Sequence, residues 1–199
     1  LYGRPISQTM ERAAELEIEM IAPSHGVIWR SHLKEVFEAY QKYVVCKPRP
    51  KVIVLYATMW KATEKMADAI LEGAQECNVE ARYYNVDSTH ATTIATEVLD
   101  CAAIAIGTPT LNNSLMPNMA AVLCYLSGLR PTNKRGFAFG SYGWSKRGGA
   151  SAVEDSMKEM KIEMMRDPLR AQYVPSEEVL EECREAGRMM GKYAEQFSR

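Results

Sequence analysis

The sequence predicts an α/β protein: a doubly wound, five-stranded parallel sheet in the order 2-1-3-4-5, with a partial appendage at its amino end. Three observations carry this. From residue 51 onward, short apolar runs alternate with helical stretches through the rest of the 199 residues, the pattern of a parallel sheet with helices on its faces. The runs at 51–57 (Lys-Val-Ile-Val-Leu-Tyr-Ala) and 101–106 (Cys-Ala-Ala-Ile-Ala-Ile) are continuously apolar after their first residues, as in strands covered on both sides. Three runs open into loops rich in hydroxyl, amide and aromatic groups, at 57–63, 107–113 and 140–145. Open parallel sheets bind ligands outside the carboxyl ends of their strands.

The appendage is read first. Residues 3–16 have helical spacing, with Ile6, Met10, Ala13, Ala14 and Leu16 on one face. A short extended run at 18–22 meets the turn Pro23-Ser24-His25-Gly26, and residues 31–44 form a second helix carrying Leu33, Val36, Phe37, Tyr40 and Val44. Lys47-Pro48-Arg49-Pro50 reads as a stiff, solvated linker. It separates a unit at 1–46 from a unit at 51–199.

Beyond the linker each element has its own signal. The strand at 51–57 leads into a helix at 63–76 with Met66, Ala67, Ile70, Leu71 and Ala74 inward. A strand at 79–86, a short helix at 92–99 and the strand at 101–106 follow. The helix at 117–127 has Pro117 in its first turn, where a missing N–H costs nothing, and Gly128 at its end. A fourth strand at 136–140 precedes a helix at 149–161. Pro168 interrupts 162–173, which predicts a fifth strand split by a turn. Ser176 caps a final helix to about 197, with Glu177 and Glu178 in its electropositive first turn.

Composition narrows the function classes. An apolar fraction of 47% supports a sizeable core, and a formal charge of −1 gives no general attraction to nucleic acid or to an acidic membrane surface. No stretch approaches the roughly 20 apolar residues of a membrane span, and nothing in these residues reads as an export signal. The five cysteines, Cys46, Cys77, Cys101, Cys124 and Cys183, are widely spaced without a CxxC pair. That predicts reduced thiols in a cytoplasmic protein, with Cys101 and Cys124 buried as small apolar residues. The chain begins at Leu1, which predicts a piece of a longer polypeptide.

The three loops carry the chemistry. In the first, Thr58 and Thr63 offer hydroxyls beside the unpaired N–H groups of a helix start, a setting for a phosphate. Thr63 as a helix cap and Thr58 as a strand end is the plainer alternative. The loop is neither GxGxxG nor GxxxxGK[ST], which argues against a dinucleotide or a nucleoside triphosphate. The second, Pro109-Thr110-Leu111-Asn112-Asn113, suits the edge of a heterocycle or is an ordinary Asn-Asn turn. In the third, Tyr142 and Trp144 flank Gly143. Their faces, with Trp60 as a further wall, suit a flat ring. Together these point to a phosphorylated aromatic cofactor.

The three motifs resemble the FMN-binding loops of flavodoxin-like domains, and in detail those of the flavodiiron proteins (A-type flavoproteins). The quoted residues are Thr58-Met59-Trp60-Lys61-Ala62-Thr63, Pro109-Thr110-Leu111-Asn112-Asn113 and Ser141-Tyr142-Gly143-Trp144. The resemblance implies that these residues bind FMN: Thr58 and Thr63 the phosphate, 109–113 the ring edge and ribityl chain, Tyr142 and Trp144 the ring face. It also implies that 1–46 is the end of a metallo-β-lactamase-like domain. In this family a stretch similar to Ile21-Ala22-Pro23-Ser24-His25-Gly26 supplies the last ligand of a non-haem diiron site, which makes His25 a metal ligand. The other His, Glu and Asp ligands of that site are absent from this chain, so the diiron centre belongs only to the full-length protein. His32 and His90 match no ligand pattern and read as surface or capping residues.

The implied function is the electron-transfer part of an oxidoreductase that reduces dioxygen to water or nitric oxide to nitrous oxide. The implied partners are a rubredoxin-like or other electron donor and further copies of the chain in a head-to-tail homodimer or tetramer. No nucleic acid or membrane partner is expected. A stand-alone flavodoxin-like electron carrier, an NAD(P)H:quinone-type flavin reductase and a non-catalytic dimerisation module are the competing readings. Lys146 and Arg147 beside the third loop depart from the family pattern. They place positive charge where it favours electron uptake by a bound flavin.

Overall fold

The structure, a computed structural model, describes residues 2–198. It divides into two compact units, one ending at Lys47 and the other beginning at Pro48.

The first unit is two helices and a connecting turn. Helix α1 spans Gly3–Ala13 and α2 spans Leu33–Tyr43; neither has a buried residue. Between them, the run expected to be extended forms a single antiparallel bridge, Ile21 with Trp29, closed by two 2.9 Å backbone hydrogen bonds. Leu16 lies beyond the end of α1 and is exposed. Ile6, Met10, Ile21, Val36 and Phe37 instead line an open cavity of about 710 Å³. No described residue up to Lys47 is buried, in keeping with how little surface a unit of fewer than 50 residues can bury.

The second unit contains the sheet. Its elements are β1 (Arg49–Tyr56), α3 (Ala62–Gln75), β2 (Glu80–Asn85), α4 (Ala91–Leu99), β3 (Cys101–Gly107), α5 (Pro117–Leu129) and β4 (Arg135–Tyr142). They continue through α6 (Gly148–Glu159), β5 (Glu163–Met164), β6 (Leu169–Gln172) and α7 (Glu177–Glu195). All the strand pairs are parallel, in the order β2-β1-β3-β4-β5, with β6 also on β4. The doubly wound 2-1-3-4-5 sheet is therefore present.

The apolar runs explain the two layers. Successive residues of a strand point to opposite faces. Val52 and Val54 pack with Met66, Ile70, Phe137, Phe139 and Met190 under α3 and α7. Ile53 and Leu55 pack with Ile94, Ile104, Ile106, Met119, Leu126 and Met157 under α4, α5 and α6. Burying each such side chain contributes about 1.5–3 kcal/mol. On the first face α3 and α7 touch backbone to backbone: a Cβ on Gly73 would stand 1.9 Å from the Arg184 carbonyl oxygen.

Four details differ from the sequence expectation or sharpen it. Arg49 and Pro50 do not belong to a solvated linker but to β1, where the ladder shifts register between Arg49 and Val52. A strand start at an irregularity is where proline is tolerated. The charges around it are paired: Arg49 donates to Asp100 (2.6 Å) and Glu80 (3.2 Å), while Lys51, 3% exposed, meets Glu97 (2.6 Å) and Asp100 (3.0 Å). The fifth strand is split: β5 pairs with the start of β4 (Arg135 with Glu163) and β6 with its end (Tyr142 with Gln172). Cys101 is buried and its thiol pushed up to about 11 by that burial, but Cys124 is exposed, one residue past the buried Leu123 on α5. None of the five cysteines is in a disulfide.

Candidate functional site

The site lies where the carboxyl ends of β1, β3, β4 and β6 meet. After β1 the chain turns at Lys61, whose φ of 64° is left-handed, and α3 begins at Ala62. Thr63 is therefore inside the first turn and not its cap. It is buried, and its Oγ1 shares a 3.0 Å hydrogen bond with Ser141 Oγ, tying the first loop to the third. Thr58 Oγ1 is buried with no hydrogen-bond partner among the described residues. A buried hydroxyl without a partner carries a desolvation cost, and this one belongs to the loop that leads into α3, whose first N–H groups have no partner within the helix.

The second loop continues beside the third as an irregular extension of the ladder. The Thr108 amide donates to the Phe139 carbonyl (3.1 Å) and the Thr110 amide to that of Ser141 (2.8 Å). Thr110 Oγ1 accepts from the amide of Gly149 at 3.0 Å. A Cβ on Gly148 would stand 2.2 Å from Thr110 Cγ2, so the start of α6 reaches this loop only because a side chain is missing there. Leu111 and Ser114 close a tight turn with reciprocal bonds of 2.9 and 2.8 Å, and both central residues, Asn112 (φ 49°) and Asn113 (φ 58°), are left-handed. Asparagine tolerates that conformation, which accounts for both residues through turn chemistry.

These loops enclose a cavity of about 300 Å³. Thr58, Met59, Trp60 and Ala62 line it from the first loop, Pro109 and Thr110 from the second, Ser141, Tyr142 and Gly143 from the third. Lys61, Thr63, Leu111, Asn112, Asn113 and Trp144, also singled out by the sequence, do not line it; Trp144 is 91% exposed. Trp60 stands at the mouth, 89% exposed. Tyr173 and Val174, between β6 and α7, complete the lining. Sequence reasoning placed the split strand at 162–173 but did not count its end among the ligand loops; the rule that ligands sit beyond strand ends would have found them.

No lining residue is acidic. Lys61, Lys146 and Arg147 supply exposed positive charge in the adjoining loops. Just inside β1, burial pushes the Tyr56 phenol well above its ordinary range, with Glu64 acting in the same direction. An orphaned hydroxyl and a helix start at one end, with aromatic and apolar walls beyond, fit a ligand made of an anion joined to a flat ring.

No histidine is among the residues that line this cavity. His25 is exposed in its turn. Among the described residues no three His, Cys, Asp or Glu side chains are grouped to hold a metal. His90 caps α4, its ring accepting from the Thr92 amide, and His32 precedes α2 with its ring 3.0 Å from Glu35. Among the described residues no helix is long and apolar enough to cross a membrane.

Comparison with known proteins agrees with this geometry. The flavodoxin family model matches residues 54–187. The chain is 40% identical to a nitric oxide reductase of Moorella thermoacetica over 87% of its own length and 43% of that protein. Its fold superimposes on rubredoxin oxygen:oxidoreductase from Desulfovibrio gigas with a TM-score of 0.92 and 30% identity, covering 98% of this chain and 50% of that one. The flavodiiron protein from Giardia intestinalis gives a TM-score of 0.93 at 31% identity, over 100% of this chain and 49% of that one. The chain spans about half the length of the curated relatives it matches. It belongs to the flavodoxin family, as a domain whose relatives include the flavodiiron proteins over about half of their length.

Proposed function

We propose that this chain binds FMN in the cavity at the strand ends and serves as the electron-transfer part of a longer flavodiiron oxidoreductase. The carrying observation is Thr58, in the loop between β1 and α3: its Oγ1 is buried without a hydrogen-bond partner among the described residues, and the residue lines a cavity that has no acidic lining. When bound, FMN supplies one- and two-electron transfer between donor and acceptor. The chain's own residues do the rest. Thr58 and the first N–H groups of α3 donate to the phosphate, a charge-assisted arrangement strengthened by the helix dipole. Thr63, already bonded to Ser141, adds a hydroxyl and holds the first and third loops together. Thr110 keeps the second loop against α6, and Met59, Trp60, Tyr142 and Gly143 exclude water from the ring.

The names of the relatives support the wider reading: reduction of nitric oxide or dioxygen by the full-length protein, with electrons from a rubredoxin-like donor. In it, residues 1–46 close a metallo-β-lactamase-like domain and His25 is one ligand of a diiron site completed by residues outside this chain. Imidazole suits iron. A head-to-tail dimer or tetramer in the cytoplasm belongs to the same reading.

Titration of the purified chain with FMN, followed by visible spectroscopy and metal analysis, tests this. The expected result is stoichiometric flavin with almost no iron. A chain that stays colourless in excess FMN would overturn the reading, and rapid bleaching of bound flavin by NAD(P)H alone would replace it with a flavin reductase.

A further inference from the structure

The loop between β6 and α7 is tied to the third loop by two hydrogen bonds. The Tyr173 amide donates to the Tyr142 carbonyl at 2.7 Å, and Gln172 Nε2 donates to the Gly143 carbonyl at 3.0 Å. Tyr173 itself has φ 57°. Left-handed backbone is uncommon for a bulky residue and natural for glycine or asparagine; this chain adopts it at Asn112 and Asn113 and also at the larger Lys61, Arg130 and Lys161. Core packing does not explain the aromatic, because Tyr173 is 59% exposed. Its ring instead lies along Gly143, where an added Cβ would stand 3.2 Å from Tyr173 Cε1, and it lines the cavity together with Val174. Strained residues held by their surroundings cluster at ligand clamps.

Resting on the FMN reading above, we propose that Tyr173 is a flavin-contacting residue: its ring is a fourth wall of the cavity, held in place by the bonds that pin the β6–α7 loop to Tyr142 and Gly143. The wall comes from a strand end that the three loop motifs do not include. Gln172 acts as a positioning residue, fixing the Gly143 carbonyl and with it the floor on which the Tyr173 ring rests.

The strained backbone supplies a test in which fold and binding move in opposite directions. In Tyr173→Gly the left-handed turn is relieved and the ring is lost; in Tyr173→Phe the ring is kept. Apo-protein thermal midpoints and FMN titrations by quenching of flavin fluorescence are measured for both variants and the parent chain. For Tyr173→Gly the expected result is an apo midpoint equal to or above the parent's, with FMN affinity lower by about tenfold, the scale of an aromatic contact. Tyr173→Phe is expected to bind within about twofold of the parent. Tyr173→Gly binding FMN like the parent would remove Tyr173 from the site and leave the FMN reading standing. A Tyr173→Gly variant that loses stability along with binding would make the role structural. Tyr173→Phe as weak as Tyr173→Gly would refute contact through the ring face. A parent chain that does not bind FMN would overturn both the reading and this inference.

Discussion

Replacing Thr58 by valine isolates the atom on which the cofactor assignment rests. The substitution keeps the shape and β-branching of the side chain and deletes one hydroxyl, which is buried and has no partner among the described residues. Leaving such a group unsatisfied costs about 1–3 kcal/mol, so removing it stabilises the apo-protein by up to that amount. At about 2–4 °C per kcal/mol for a unit of this size, the apo midpoint rises by roughly 2–8 °C for the lower half of the range. Binding changes the other way. A hydrogen bond to a charged group contributes about 1.5–3 kcal/mol, which corresponds to roughly a 10–150-fold weaker FMN affinity. Scanning calorimetry of the apo-protein and a fluorescence titration with FMN read the two quantities independently. A Thr58→Val chain that melts lower and binds FMN unchanged would refute the argument, since the hydroxyl would then be satisfied within the fold and the phosphate held elsewhere.

Three further expectations follow from named contacts. Gly148→Ala places a Cβ 2.2 Å from Thr110 Cγ2; rotating Thr110 away breaks its bond with the Gly149 amide, so stability falls by about 1–3 kcal/mol in denaturant melts and FMN binding weakens with it. Burial alone would raise the Asp100 carboxyl, but hydrogen bonds from Arg49 and Lys51 outweigh it and hold its pKa below the ordinary 3.8. That increment of stability is present above about pH 4 and is lost as pH falls through the lowered value. Asp100→Asn should therefore cost about 1–3 kcal/mol at pH 7 and flatten the acid limb of a stability profile taken from pH 7 to pH 2; an unchanged limb would assign acid sensitivity elsewhere. Lys146→Glu combined with Arg147→Glu should lower the two-electron potential of bound flavin, on the order of tens of millivolts at low ionic strength and less in high salt. A redox titration showing no change or a rise would count against electrostatic tuning by this pair.

Much of the architecture was legible because its signals are local. The run Val52 to Ala57 is apolar at every position and the strand is buried on both faces; no knowledge of its neighbours is needed to see that. Pro117 opens α5 and Ser176 caps α7, its Oγ accepting from the Val179 amide, as their residue types require. The three loops at the strand ends were legible for the same reason: each follows a recognisable strand, and nine of the residues named in them line one cavity.

What the sequence by itself determined is the succession of elements and the chemistry available at their ends. What tertiary structure alone decided is how each side chain uses that chemistry. Lys51 looks solvated until Glu97 and Asp100 arrive from another part of the chain to pair with it. Thr63 looks like a cap until Ser141, 78 residues away, takes its hydroxyl, and Tyr173 looks like a strand end until the turn after β6 lays it beside Gly143. The physical reason is the range of the interactions. Periodicity and capping act within a turn or two of the backbone, whereas ion pairs, shared hydroxyls and cavity walls exist only after the sheet has brought distant strand ends together.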